Sequence, residues 1–243
     1  MENIDRRIIP NIKHVYFDFF NTLAEFYPPR EQLQRQAAND IGIEVGEVLL
    51  KSAYKTADAF MGEENKRYPL ANRTSSEVDS FWTNYEKLLL TTAGAQVTDE
   101  EARLVFKQLS TLDQRFILFE DVLPTLRDIK KLGISIGIIS NMNQDLRSII
   151  DKLGILTYID CIATSGMAGS AKPDKALFDY ALDLIGAQPD QSAHVGDDYE
   201  GDVVGAINAG LFPVFLDRNN LPEHPNKHIT SIHSLKELIP LFK

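Results

Sequence analysis

An α/β architecture, built on a doubly wound parallel sheet with an all-helical segment inserted into it, is expected for this 243-residue chain. Three observations lead there. A short β-prone run, His14–Phe20, ends abruptly at Asn21-Thr22. Roughly a hundred residues without a convincing strand follow it. From Val122 onward, helical and strand-like stretches alternate, as parallel βαβ units do.

The middle block reads as helices, the first two over Glu31–Ile41 and Gly46–Met61. Glu63–Arg73 is charged, contains Pro69 and reads as a loop. Ser75–Ala93 sets Val78, Phe81, Trp82, Tyr85, Leu88 and Leu89 at three- and four-residue steps, one apolar face of a helix. Thr74 with Glu77, and Thr98 with Glu101, have capping-box spacing and mark two helix starts. Gly94 is a natural stop for the first of them. The later block alternates: helix Val122–Leu132, strand Ser135–Ser140, helix Gln144–Leu153, strand Ile159–Ala163 and helix Lys175–Ile185. Strand Ala193–Val195, helix Asp202–Ala209 and strand Phe212–Leu216 come next. Ser234–Phe242 closes the chain with a further box, Ser234 and Glu237. Pairing His14–Phe20 with this block makes residues 1–24 and 117–243 a Rossmann-like core and 25–116 a helical insertion.

Composition narrows the function. The net charge of −10 repels phosphate backbones, so a nucleic-acid partner is not expected, although one local phosphate pocket is compatible with it. A single cysteine, Cys161, excludes an internal disulfide and a cysteine-rich zinc site, and fits a reducing compartment. Residues 1–12 lack the apolar run of a signal peptide, and the longest apolar stretches are strand-length. A soluble, cytoplasmic protein without a membrane partner is expected.

In a doubly wound sheet, ligands bind beyond the carboxyl ends of the strands. Asp18 ends the first strand, Ser140 and Asn141 the second, and Asp197 and Asp198 follow Ala193–Val195. Lys172 lies in the loop after Ile159–Ala163. Several carboxylates without His or Cys partners suit a hard divalent cation, Mg²⁺ first among them. An ionised Asp18 can attack phosphorus as a covalent nucleophile, with Lys172 and the Ser140 hydroxyl aimed at phosphoryl oxygens. Read singly, each residue has a plainer explanation: a turn, a helix cap or a solvated lysine. Four coincidences in order are needed to keep those explanations.

At this point the chain resembles the haloacid dehalogenase superfamily. Asp18-Phe19-Phe20-Asn21-Thr22-Leu23 is similar to its first motif and Ile136-Gly137-Ile138-Ile139-Ser140-Asn141 to its second. Lys172-Pro173-Asp174 resembles the third, and Gly196-Asp197-Asp198-Tyr199-Glu200-Gly201-Asp202 the acidic fourth. The insertion stands where some members carry a helical cap. The resemblance implies a small phosphorylated substrate, Asp18 as nucleophile and Mg²⁺ ligand, and a metal contact from the Phe20 carbonyl. It further implies Ser140, Asn141 and Lys172 at the phosphoryl group, Asp197 on the metal, and Asp202 supporting it directly or through water. Asp198 is a bystander in that pattern.

One position departs from the pattern. The phosphatase form of the first motif has an acid/base Asp where this chain has Phe20. An aromatic residue there resembles the metal-free dehalogenase branch, yet that branch lacks the Gly-Asp of the fourth motif, which is intact here. A slow Mg²⁺-dependent phosphatase is therefore the expected function. The alternatives are a degenerate phosphate- or protein-binding module and a 2-haloacid dehalogenase. Elsewhere plain readings prevail: Phe81, Trp82 and Tyr85 as core of the insertion, His194 as a strand residue, and Cys161 as a small buried residue.

Overall fold

Residues 9, 11–142, 146–218 and 229–242 are described by a computed structural model. In chain order the strands are β1 (His14–Phe17), β2 (Ala24–Tyr27), β3 (Arg115–Leu118), β4 (Ser135–Ser140), β5 (Cys161–Thr164), β6 (Ser192–Gly196), β7 (Phe212–Leu216) and β8 (Thr230–Ile232). The helices are α1 (Arg30–Asp40), α2 (Glu47–Arg67), α3 (Ser75–Thr92), α4 (Asp99–Leu109), α5 (Val122–Lys131), α6 (Arg147–Lys152), α7 (Ser165–Ala168), α8 (Lys175–Asp183), α9 (Gly205–Ala209) and α10 (Leu238–Leu241). By packing, the chain divides into two compact units, Met1–Glu25 with Phe116–Lys243, and Phe26–Arg115.

The first unit holds a parallel sheet in the order β5-β4-β1-β6-β7-β8. Strand order reverses at β1, whose Phe17 is in register with Ile138 on one side and Val195 on the other. Both faces are covered, which is why β1 and β4 read as nearly unbroken apolar runs. Alternation sorts their side chains. Val15, Phe17, Ile136, Ile138 and Val195 pack with Leu126 and Ile129 of α5 and Leu238 of α10. Tyr16, Ile139 and Cys161 pack with Leu177 and Phe178 of α8 and Ala206 of α9. Gly137 is required under Tyr16, because a Cβ there would come within 2.4 Å of the ring.

The inserted unit is helical. Ala37, Leu50, Ala53, Tyr54, Tyr85, Leu89, Leu90 and Val105 form its core. Phe81 is buried and Trp82 stacks on Phe106 at 5.3 Å, as the apolar face of α3 predicts. Both capping boxes form, and Gly94 takes the left-handed φ of +93° just past α3.

The sequence reading missed three short strands. β2 and β3 are four residues each and pair with one another, and β8 has three, too few for a two-residue period to register. α2 runs on to Arg67 where a loop was expected from Glu63. Glu, Lys and Arg are good helix formers, and the real breaker is Pro69. α6 begins at Arg147, and residues 144–145 of the expected helix lie outside the described residues. The helix expected over Asp202–Ala209 starts earlier, as a π-helical turn, Tyr199–Val204, that runs into α9. The closing segment is a 3₁₀ turn, Leu235–Glu237, leading into α10, with its capping box in place. Among the described residues, no helix is long and apolar enough to cross a membrane.

Candidate active site

Asp18 is the first residue past β1, held there by its N–H bonded to Val195 O at 2.9 Å. It stands at the point where strand order reverses, so β4 and β6 flank it. The chain then turns sharply at Asn21, which adopts a left-handed φ of +60°, a conformation Asn tolerates well. Thr22 follows, and its hydroxyl donates to Asp197 Oδ1 at 3.3 Å.

Lys172 reaches into this edge from the loop before α8. Its Nζ lies 2.5 Å from Asp18 Oδ1 and 2.6 Å from Asp202 Oδ1, with all three side chains at least nine-tenths buried. Asp202 comes up beneath β6 from the π-helical turn. Gly196 makes room for it, since a Cβ there would lie 2.1 Å from the Asp202 carboxylate. Carboxylate oxygens of Asp18, Asp197 and Asp202 all lie within 4.8 Å of one another.

One ammonium faces three carboxylates, and the charge balance shows it. Burial pushes the Asp18 carboxyl up to about 7, with Lys172 opposing and Asp202 adding to the rise. Burial and repulsion from Asp18 and Asp202 push Asp197 up to about 8. Burial would raise Asp202 too, but Lys172 and His194 outweigh it and hold that carboxyl far below its usual range. Lys172 is also buried, yet Asp18 and Asp202 keep it charged. Among the described residues, Asp197 makes no ion pair. A cluster of oxygen donors this short of positive charge suits a hard divalent cation.

The remaining site residues take different parts. Ser140 ends β4, and its Oγ accepts the Met142 N–H at 3.3 Å. The Asn141 side chain donates to Lys172 O at 3.1 Å and accepts the Lys172 N–H at 2.6 Å. Both ends of its amide thus contact the loop that carries Lys172. Asp202 is similarly engaged, with Oδ1 taking Lys172 and His194 and Oδ2 taking the Asp198 N–H. Asp198 caps the π-helical turn by accepting the Glu200 N–H at 3.2 Å. The Phe20 ring packs edge-on against Phe116 at 6.4 Å.

Two residues of this region have partners that the sequence did not reveal. His194, taken there as a plain strand residue, lies 2.8 Å from Asp202. The signal was available: a polar residue inside a strand buried on both faces needs a partner. Arg218 lies two residues beyond β7, grips Asp121 with two 3.0 Å bonds and donates to Thr22 O at 2.7 Å. Nothing in its local sequence marks it.

Comparison with known proteins agrees with the fold. At 29% identity over 208 residues, the chain is similar to haloacid dehalogenase-like hydrolase domain-containing protein 3 of Bos taurus, covering 82% of this chain and 81% of that one. A glyceraldehyde 3-phosphate phosphatase of Methanothermobacter thermautotrophicus is 28% identical over 221 residues, 90% of this chain and 91% of its own. Among solved structures, the HAD-hydrolase YfnB of Bacillus subtilis superposes with a TM-score of 0.68 at 20% identity, covering 94% of this chain and 97% of that one. The profile of one family matches residues 12–210, which hold all four motifs, and so the chain belongs to the haloacid dehalogenase-like hydrolases.

Proposed function

We propose that the chain is a Mg²⁺-dependent phosphomonoesterase that acts on a small phosphorylated metabolite through an aspartyl-phosphate at Asp18. One observation carries this reading: three clustered carboxylates faced by a single ammonium, with Asp197 outside any ion pair among the described residues. A metal-free dehalogenase has no use for that excess of negative charge. The glyceraldehyde 3-phosphate phosphatase among the relatives supports the same choice.

The residues divide the work as follows. The Asp18 carboxylate attacks phosphorus, the P–O bond to the leaving group breaks, and the departing oxygen keeps the electron pair and takes a proton from water. Lys172, 2.5 Å from Asp18, meets the negative charge of the phosphoryl oxygens, and the Ser140 hydroxyl donates to one of them. Asn141 keeps the Lys172 loop in place. Water then attacks the phosphorus of the aspartyl-phosphate, releasing inorganic phosphate and restoring Asp18. Asp18, Asp197, the Phe20 carbonyl and, directly or through water, Asp202 would hold Mg²⁺, which supplies the positive charge the site lacks. A cytoplasmic setting fits a lone, buried Cys161.

Hydrolysis of p-nitrophenyl phosphate, followed with Mg²⁺ and with EDTA, tests the proposal. Turnover should require Mg²⁺ and vanish in Asp18→Asn, which keeps the shape but removes the nucleophilic charge. Wild-type turnover in that variant would overturn the mechanism. Phe20 favours a second reading, attack on carbon, and chloride release from 2-chloropropionate without metal would establish it. Inertness toward both substrates would leave the degenerate binding module.

A further inference from the structure

His194 sits in β6 with its side chain fully buried, in register with Tyr16 of β1. Its Nε2 lies 2.8 Å from Asp202 Oδ1. Asp202 Oδ1 already takes the Lys172 ammonium and acts as a carboxylate acceptor, so the hydrogen of this bond is on Nε2. Nδ1 is buried without a partner among the described residues, which fits a bare lone pair better than a second N–H. The Phe178 ring meets the imidazole edge-on, centroids 5.2 Å apart at 84°, and restricts its rotation. His194 is thus a fixed neutral donor aimed at one oxygen.

That oxygen also holds Lys172. Asp202 Oδ1 accepts the ammonium at 2.6 Å and the imidazole at 2.8 Å, while Oδ2 accepts the Asp198 N–H at 3.0 Å. Three donors leave the carboxylate one orientation, and the Lys172 ammonium is held 2.5 Å from Asp18 as a result. We infer that His194 is a positioning residue: its Nε2–H fixes Asp202, and through Asp202 it aims the Lys172 ammonium at the nucleophile Asp18. This rests on the phosphatase reading for its effect on turnover, and on geometry alone for its effect on Lys172.

His194→Met fills the space without a donor, whereas His194→Gln can place an N–H near the position of Nε2. Two measurements on the full chain separate the outcomes. With p-nitrophenyl phosphate and Mg²⁺, kcat of the Met variant should fall about tenfold or more with KM within about twofold, and Gln should recover most of the loss. In ¹⁵N spectra of lysine ammonium groups, the Lys172 signal, slowed in exchange by its two ion pairs, should broaden or vanish in Met and persist in Gln. An unchanged Lys172 signal in the Met variant overturns the inference, and so does a Gln variant as slow as Met. A wild type inert toward the ester sinks the phosphatase reading, and the Lys172 signal still decides the role of His194. If the Met variant fails to fold, imidazole ¹⁵N shifts of the wild type decide: an Nδ1–H tautomer at His194 overturns the inference.

Discussion

The Phe20 side chain has no ionisable proton, and on the proposed function that limits which esters the site can cleave. Its ring packs against Phe116, and the groups around Asp18 are one ammonium and two further carboxylates. On the proposed mechanism, a phosphorylated Asp18 therefore forms readily only when the departing oxygen is stable as an anion. Aryl and acyl phosphates should turn over usefully and alkyl phosphates poorly. Phe20→Asp keeps the backbone carbonyl and adds a carboxyl whose pKa a partly apolar site can raise. General acid catalysis is typically worth ~10²–10⁴-fold, so kcat/KM for alkyl phosphates should rise at least about tenfold more than for aryl phosphates. A wild type that cleaves both classes equally would assign the proton donor to another residue. At this scale the sequence was legible where chemistry repeats a known spacing, as at Asp18, Lys172 and Asp197. It was silent about Arg218, whose partners lie up to 196 residues away, and about the contacts of Asn141 with Lys172, 31 residues on.

The inserted helices carry a titratable group of their own. Glu86 of α3 is 1% exposed and accepts a hydrogen bond from Gln34 of α1, whose other amide atom accepts the Tyr54 hydroxyl at 3.1 Å. Burial pushes the Glu86 carboxyl up to about 8, with the Gln34 bond opposing. Its folded pKa is above its unfolded value. Its stabilising effect is therefore fully present below about pH 4.5 and is lost as pH rises through about 8. Glu86→Gln keeps the acceptor for Gln34 and cannot ionise. Melting curves from pH 5 to 9 should show the wild type losing stability relative to the variant by on the order of 1 kcal/mol per pH unit up to about pH 8 and levelling off above it. Parallel curves would mean that Glu86 is already ionised. The element boundaries tell which signals survive in sequence. Capping boxes placed α3 and α4 because side chain and backbone satisfy each other within three residues. β2, β3 and β8 were lost because pairing with a distant strand, and not local pattern, makes them strands.

At the scale of the molecule, the two compact units should respond to different ligands. Asp18, Asp197, Asp202, Lys172 and His194 all belong to the sheet unit, while Glu86, Gln34 and Tyr54 belong to the helical one. A cation that binds only the folded arrangement stabilises the unit that supplies its ligands, by about 3 kcal/mol at a hundredfold excess over its dissociation constant. Amide exchange that proceeds by opening of one unit reports the stability of that unit alone. Hydrogen exchange read by mass spectrometry should therefore separate the two effects. Millimolar Mg²⁺ at pH 7 should slow exchange in β1, β6 and the Tyr199–Val204 turn, and leave α1 to α4 unchanged. Raising the pH from 6.5 to 8.5 with Mg²⁺ saturating should loosen α1, α2 and α3 around Glu86, after correction for intrinsic exchange, and spare the sheet. Absence of any Mg²⁺ effect would remove the metal from the mechanism. Equal protection of both units by Mg²⁺ would mean that they open together, and the Asp197→Ala variant identifies the source: it should abolish the protection in both units at once.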